Sequence, residues 1–435
     1  MQLMKHASAI AVAAVAGLLV SLVGVPAASA DYTPRDGITF NNAYGDRAAQ
    51  NAILSKVYRS IRATPRGAQI DIMSWNFNST IAVRTLLAAQ ERGVRVRLLQ
   101  SRGNVSDDGR DDYAKLRAGL QRGNQTADVR SWARACRQSC RGRGGAAHAK
   151  FFLFSETGNA EKVLMQGSAN LTSTSGNNQW NDVQTFTNRP GPYDFALGVF
   201  EQMAQDKALA RPYTSWRSGR DQLAFFPGAD RRSPDPVMQL LDKVRCQGAT
   251  NTASGRTRIR IAPDVMREDR GMRLARKVRS LWVGGCDVRI GYTVMGLDVG
   301  RMLRQPSRRG PVPLAHMVRD TNNDGQFDDY FHMKSMAVVG NVAGKRNGYA
   351  TLNGSQNWSD VAARSDENIG VTYRAGITKQ YSAHIDRWYR FFDRNGANRY
   401  SQARQARSDG RIVDGFLFGT GPIDGVDPYA NLEMD

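Results

Sequence analysis

One short pattern occurs twice along these 435 residues, and it limits what the chain can become. His148-Ala149-Lys150 is followed by Gly167-Ser168-Ala169-Asn170, and His332-Met333-Lys334 is followed by Gly354-Ser355-Gln356-Asn357. The sequence holds five histidines, at 6, 148, 316, 332 and 384, and two of them stand in identical His-x-Lys settings. A single such triplet would be read as an ordinary buried or surface histidine. Two copies in register reverse that reading, and self-similarity at a long period implies a duplicated structural unit.

The flanks repeat with the motifs. Ile38-Thr39-Phe40 and Leu223-Ala224-Phe225 stand at nearly the same distance ahead of their histidines. After the first, apolar spacing predicts a helix over 47–62 and a strand over 69–75. A capped helix follows from Asn78-Ser79-Thr80 to Gly93, then a strand over 94–99. The second half is expected to run helix 236–246, strand 257–261, helix 268–282 and strand 286–290. Strands alternating with helices argue for an α/β fold with a mainly parallel sheet, built twice. The expected units are 31–215 and 216–435, joined between Arg211 and Asp221. Each His-x-Lys is expected on an apolar strand, so that both side chains share one face. A second strand, 162–166 or 349–352, then delivers the Gly-Ser-x-Asn turn to the same region.

Lys5 and His6 precede an apolar run that ends Pro26-Ala27-Ala28-Ser29-Ala30, the pattern of a secretory signal peptide. The mature chain is therefore expected to begin near Asp31 and to be extracellular and monomeric. Export favours disulfides, and pairing within halves gives Cys136–Cys140 and Cys246–Cys286. Zinc is the rival, but neither pair has the two-residue spacing of a zinc knuckle. The formal charge of +20 draws the protein toward anionic partners, whether phospholipid surfaces, nucleic acid or wall polymers, without choosing among them.

Lysine offers a fixed positive charge for phosphoryl oxygens, and asparagine and serine add neutral donors. An imidazole can attack phosphorus or move a proton near neutral pH. Two imidazoles allow one to attack while the other protonates the leaving oxygen and later activates water. No step of this scheme calls for a metal. Each imidazole needs an orienting carboxylate, and the residues after each Gly-Ser-x-Asn offer Asp182 in the first half and Glu367, with Asp366 behind it, in the second. Asp320, Asn322, Asp324 and Asp328 match the opening of a calcium loop, although Phe331 stands where such a loop wants Glu, and a plain acidic turn is the equal alternative; a structural Ca²⁺ there would brace the strand leading to His332. His316, His384, Trp180 and Trp358 read as structural, and Trp75 as a residue at the pocket mouth. Loops 105–113 and 306–319 are candidate pocket walls.

These motifs resemble the phospholipase D superfamily, whose signature is HxKxxxxD followed by GSxN, twice in a chain of this kind. The resemblance spans nearly the whole chain after residue 30. It implies two α/β/α halves related by a pseudo-twofold axis and sharing one active site. It implies a covalent phosphohistidine, with His148 as nucleophile and His332 as acid and base. Lys150, Lys334, Asn170 and Asn357 fall on the phosphate-holding positions, and Ser168 and Ser355 on the supporting serine. The motif's Asp is replaced by Ser155 and Val339. Tyrosyl-DNA phosphodiesterases, which also lack it, still carry out the two-step chemistry, so catalysis is expected to survive. The activity expected is hydrolysis of glycerophospholipids to phosphatidic acid and headgroup, with transfer to alcohols. A secreted nuclease on DNA or RNA is the alternative, and a non-catalytic binder of anionic surfaces the third reading.

Overall fold

A computed structural model describes residues 32–228, 234–399, 417–418 and 426–433. The expected signal peptide, 1–30, lies outside the described residues.

The first half opens with β1 (Gly37–Phe40) and α1 (Ala52–Ala63), then β2 (Gln69–Ser74), α2 (Thr80–Glu91), β3 (Arg95–Ser101), α3 (Asp112–Gly123) and β4 (Trp132–Cys136). Ile53, Leu54, Val57 and Ile61 make the buried stripe of α1. The Ser79 hydroxyl accepts the Ala82 N–H at the start of α2, and Gly93, at φ 88°, ends it. Then come β5 (Lys150–Thr157), β6 (Ala160–Gly167), the two-residue β7 (Gln179–Trp180), β8 (Asp182–Phe186) and α4 (Pro190–Met203).

The second half repeats the order of the main-sheet strands after an added hairpin partner, β9 (Thr214–Ser218). It runs β10 (Asp221–Phe225), α5 (Pro236–Asp242), β11 (Arg258–Ala262), α6 (Glu268–Val283), β12 (Asp287–Tyr292), β13 (Leu314–His316), β14 (Asp329–Phe331), β15 (Ser335–Val342), β16 (Lys345–Gly354), β17 (Asn368–Thr372) and α7 (Ala375–Arg399). The chain passes from one sheet to the other between Met203 and Thr214, just ahead of the expected boundary.

The strand orders make the duplication explicit. One sheet reads β1-β8-β6-β5-β2-β3-β4 and the other β9-β10-β17-β16-β15-β11-β12-β13, with Val244–Arg245 paired beside β15. Apart from β9 and that short strand, they are the same order. The expectation of a mainly parallel sheet does not hold. Only β2-β3-β4 and β11-β12-β13 run parallel; every other neighbouring pair in the two sheets is antiparallel. The cause is local: after β5 the chain turns back at once through Gly158 (φ 57°) instead of crossing over by a helix. The expected 236–246 helix is also shorter, because α5 stops at Asp242 and the next residues join the sheet.

Both faces of each sheet are covered. In β5, Phe152 and Phe154 pack toward α1, α2 and α3, while Phe151 and Leu153 pack toward α4. This is why the strand is apolar without a break. In the second half α5 and α6 cover one face, and α7 lays Tyr381, Ile385, Trp388 and Phe392 on the other. Trp180 and Trp358 are fully buried core residues, as expected. Both expected disulfides, Cys136–Cys140 and Cys246–Cys286, are formed.

Candidate active site

The two halves meet where their motifs lie. Each His-x-Lys sits at the mouth of a strand rather than inside it: β5 begins at Lys150, and His332 and Lys334 occupy the gap between β14 and β15. Each histidine is fastened to the opposite half. The His148 N–H donates to the Asp366 carbonyl, and the His332 N–H donates to the Trp180 carbonyl. The parallel pairing of Tyr330 with Gln179 and Phe331 with Trp180, and the bridge between Ala147 and Asp366, reinforce the same seam.

The orienting partners also cross the seam. His148 Nδ1 lies 2.8 Å from Glu367 Oε1, and His332 Nδ1 lies 2.9 Å from Asn181 Oδ1. Glu367 therefore serves the histidine of the other half. The expectation for Asp182 needs correction: the side chain that meets His332 is Asn181, one residue earlier. Adjacent residues entering a strand point to opposite sides. Asp182 turns away, and its carboxylate accepts from Tyr381 Oη (2.6 Å) and Asn353 Nδ2 (2.7 Å) across the seam. Asp366 is likewise not on a histidine; it accepts from the Cys140 N–H.

Sequence reasoning missed Asn181 because it looked for carboxylates. Its amide orientation is fixed by its neighbours. Oδ1 accepts from Ser168 Oγ at 2.8 Å, and Nδ2 donates to the Ser175 carbonyl and Gln179 Oε1. An oxygen thus faces His332, so Nδ1 carries the proton. Ser355 plays the part of Ser168 in the second half, donating to Glu367 Oε2 while accepting the Asn368 N–H. Both serines hold the residue that holds the histidine.

The glycine ahead of each serine is required by space. A Cβ on Gly167 would fall 2.0 Å from the Asp182 carbonyl oxygen, and one on Gly354 2.0 Å from that of Asn368. Asn170 and Asn357 each accept a backbone N–H on Oδ1, from Asn76 and Val265 respectively. That contact leaves Nδ2 as the donor each side chain turns elsewhere.

The lysines are nearly inaccessible to solvent and donate back to their own motif, Lys150 Nζ to the His148 carbonyl (2.5 Å) and Lys334 Nζ to that of His332 (2.8 Å). Their surroundings differ. Lys334 pairs with the buried carboxylate of Asp264 at 2.7 Å, whereas Lys150 lies 5.4 Å from the Trp75 ring centre. Trp75 also packs edge-on against His148, with ring centres 5.0 Å apart. Asn104, just ahead of the 105–113 loop, donates to the Trp75 carbonyl.

Burial, with the positive charges of Lys334, Lys150 and His148 nearby, holds His332 well below the ordinary imidazole range. Burial pushes the Glu367 carboxyl up to about 7, against the opposing pull of Lys150 and the Ser355 hydroxyl. His316 and His384 lie outside this cluster. His316 Nε2 meets the Thr293 carbonyl, and His384 stacks on Phe40. Ser155 accepts the Gln69 N–H and Val339 lies within β15, so both replacements of the motif's Asp are structural.

The candidate calcium residues form an exposed loop. Asp320 accepts the N–H groups of Asn323 and Gly325, Asp324 that of Gln326, and Asp328 that of Thr321. Asn322 Oδ1 accepts the Asp324 N–H. These carboxylates are engaged by the loop's own backbone.

Two α/β/α halves that share one His/Lys/Asn cluster define a class, and comparison with known proteins agrees. The family described as "Cardiolipin synthase, PLD-like domain" matches residues 61–196. Phosphatidylserine synthase from Haemophilus influenzae Rd KW20 is similar in structure: 12% identity, TM-score 0.54, covering 81% of this chain and 86% of that one. Polyphosphate kinase from Porphyromonas gingivalis gives 11% identity and a TM-score of 0.51 over 81% of this chain; this chain spans only 46% of that protein. At such identities the likeness is one of fold. No curated protein matches the sequence. The family match over residues 61–196 and the doubled motif on this fold make the chain similar to the phospholipase D superfamily.

Proposed function

We propose that this protein is a secreted phosphodiesterase that hydrolyses glycerophospholipids to phosphatidic acid and free headgroup through a phosphohistidine. The observation that carries the reading is the pair of buried histidines, each held through Nδ1 by the opposite half. In the first step His148 Nε2 attacks phosphorus and the bond to the headgroup oxygen breaks. Glu367 takes the Nδ1 proton in a hydrogen bond and stabilises the charge that forms on the ring. His332 gives its Nε2 proton to the departing oxygen. In the second step His332 takes a proton from water, the hydroxide attacks phosphorus, and the P–N bond breaks. An alcohol in place of water gives transphosphatidylation. The phosphodiester's own negative charge favours the protonated state of His332, which burial and the neighbouring positive charges disfavour.

Lys150, Lys334, Asn170 and Asn357 are assigned to the phosphoryl oxygens. The matched family and one structural neighbour are both named for phospholipid synthesis, which suits a lipid substrate. The formal charge of +20 favours a second reading, cleavage of DNA or RNA. The test is a parallel assay on phosphatidylcholine vesicles and plasmid DNA, each with His148→Ala as control. Choline release without nicking supports the lipid reading; nicking without choline release favours the nuclease. Turnover that survives His148→Ala contradicts both.

A further inference from the structure

The groups assigned to catalysis are almost wholly withdrawn from solvent: His148, Lys150, Asn170, His332, Lys334 and Asn357 are each exposed by 1% or less. A phosphodiester cannot reach them unless something leaves. The chain itself supplies a body at this spot, in the segment Val426–Glu433.

Its last described residue, Glu433, puts a carboxylate on the Asn170 amide. Asn170 Nδ2 donates to Oε2 at 2.8 Å, Gln179 Nε2 donates to the same oxygen at 3.0 Å, and Asn76 Nδ2 donates to Oε1 at 3.3 Å. The Glu433 backbone N–H donates to Tyr330 Oη at 2.8 Å, and the Tyr330 ring stands 5.8 Å from that of His332. Three amide donors from separate parts of the first half converge on one anionic group. Two acceptor oxygens spread over three donors is the geometry by which a phosphoryl group would be held.

The segment is seated rather than draped. Tyr429 is buried against Phe327, with ring centres 5.4 Å apart, in a small apolar cluster that includes Val265, Val294 and Tyr330. The Phe327 N–H donates to the Pro428 carbonyl, and Asn431 Nδ2 donates to Gln326 Oε1. Its footing is thus the loop that carries the aspartates ahead of His332.

The structure assigns Val426–Glu433 as an internal occupant of the active site, its Glu433 carboxylate standing where Asn170, Asn76 and Gln179 would hold a phosphoryl oxygen, so that substrate enters only as this segment leaves. The assignment rests on the phosphodiesterase reading and adds two things to it. Asn76 and Gln179 join the anion-holding set, and substrate competes with a tethered carboxylate. A tethered competitor lowers apparent affinity by the fraction of molecules left open.

Inorganic phosphate is the probe, because its binding needs no turnover. Calorimetric titration of the full chain is compared with Glu433→Ala, whose side chain is partly exposed, and with Tyr429→Ala, which unseats the segment from its other end. Both variants should bind phosphate about tenfold more tightly than the parent or better, with kcat/KM for bis(p-nitrophenyl) phosphate rising in step. Asn76→Ala in the Glu433→Ala background should lose that gain. Phosphate affinity unchanged or weakened in both Glu433→Ala and Tyr429→Ala overturns the assignment. His148→Ala keeps the two readings apart. If it abolishes turnover while Glu433→Ala leaves phosphate affinity unmoved, the occupant fails and the phosphodiesterase stands. If turnover persists in His148→Ala, the phosphodiesterase reading fails, and the phosphate titration still judges the occupant.

Discussion

The two histidines differ in the residue behind them, and the difference fits the roles proposed for them. A carboxylate behind His148 stabilises positive charge on that ring, which suits the nucleophile that becomes cationic on attack. An amide behind His332 fixes the tautomer but lends no charge. Asn181→Asp should therefore raise the His332 pKa, and the limb of the pH–rate profile that reports it should move to higher pH; a profile that does not shift would place that limb on another group. Glu367→Gln should keep the ring in place but lower kcat by roughly 10²- to 10⁴-fold, by analogy with loss of the carboxylate in a catalytic triad. The sequence announced both histidines, both lysines and both asparagines through their repetition. It could not announce that the partners cross over. Asn181 and Glu367 lie at similar offsets behind their own motifs, and nothing in that spacing tells which histidine each will meet. The choice is made by the packing of one half on the other. Asn181 was hidden further by chemistry, since its carboxylate neighbour Asp182 looked the better candidate.

At the scale of elements, the order of helices and strands was legible from apolar periodicity and from caps such as Ser79 and Gly93. The direction of the strands was not. Phe151–Phe154 and Val163–Met165 are apolar in the same way whether a strand runs parallel or antiparallel, and the turn at Gly158 decides the matter. The disulfides brace these elements unequally. Cys246–Cys286 closes a loop of 40 residues and Cys136–Cys140 one of 4. Chain-entropy arguments then give about 4 kcal/mol for the first and about 2 kcal/mol for the second. Replacing Cys246 and Cys286 together by serine should lower the urea midpoint about twice as far as replacing Cys136 and Cys140. Equal losses would mean that native packing around the short loop, not loop closure, sets the cost.

For the whole molecule, the seam is held by buried polar groups rather than by a greasy interface alone. Gln166, Asn353, Asn368 and Asp182 bond to one another across it, with Tyr381 closing the set. Such groups are costly to bury unless satisfied, so the halves fit in one register only. Asp366 lies on the same seam, and burial pushes its carboxyl up to about 7. A group whose pKa rises on folding contributes stability at low pH that is lost as pH climbs through the folded value. Asp366→Asn keeps an oxygen for the Cys140 N–H and removes the titration. Its melting temperature relative to the parent should therefore rise from pH 5 to about pH 7 and level off above that. A constant difference would show that the parent carboxyl does not titrate in that range. His316 and His384, held down to about 4 and about 3 by burial, act in the opposite sense, which is why the comparison is made against the parent at each pH. No periodicity pointed to the Glu433 contact, which joins residues 263 positions apart and carries no motif.

The central claim is that two histidines from two halves work on one phosphorus, the first by bonding to it. The direct test is mass spectrometry of His332→Ala after mixing with bis(p-nitrophenyl) phosphate. Because p-nitrophenolate departs without a proton, the first step should proceed and the second should stall. The account predicts one equivalent of released p-nitrophenolate and a p-nitrophenylphosphoryl adduct on the peptide that carries His148. A burst with no adduct there, or an adduct that persists when His148 is also replaced, would contradict it.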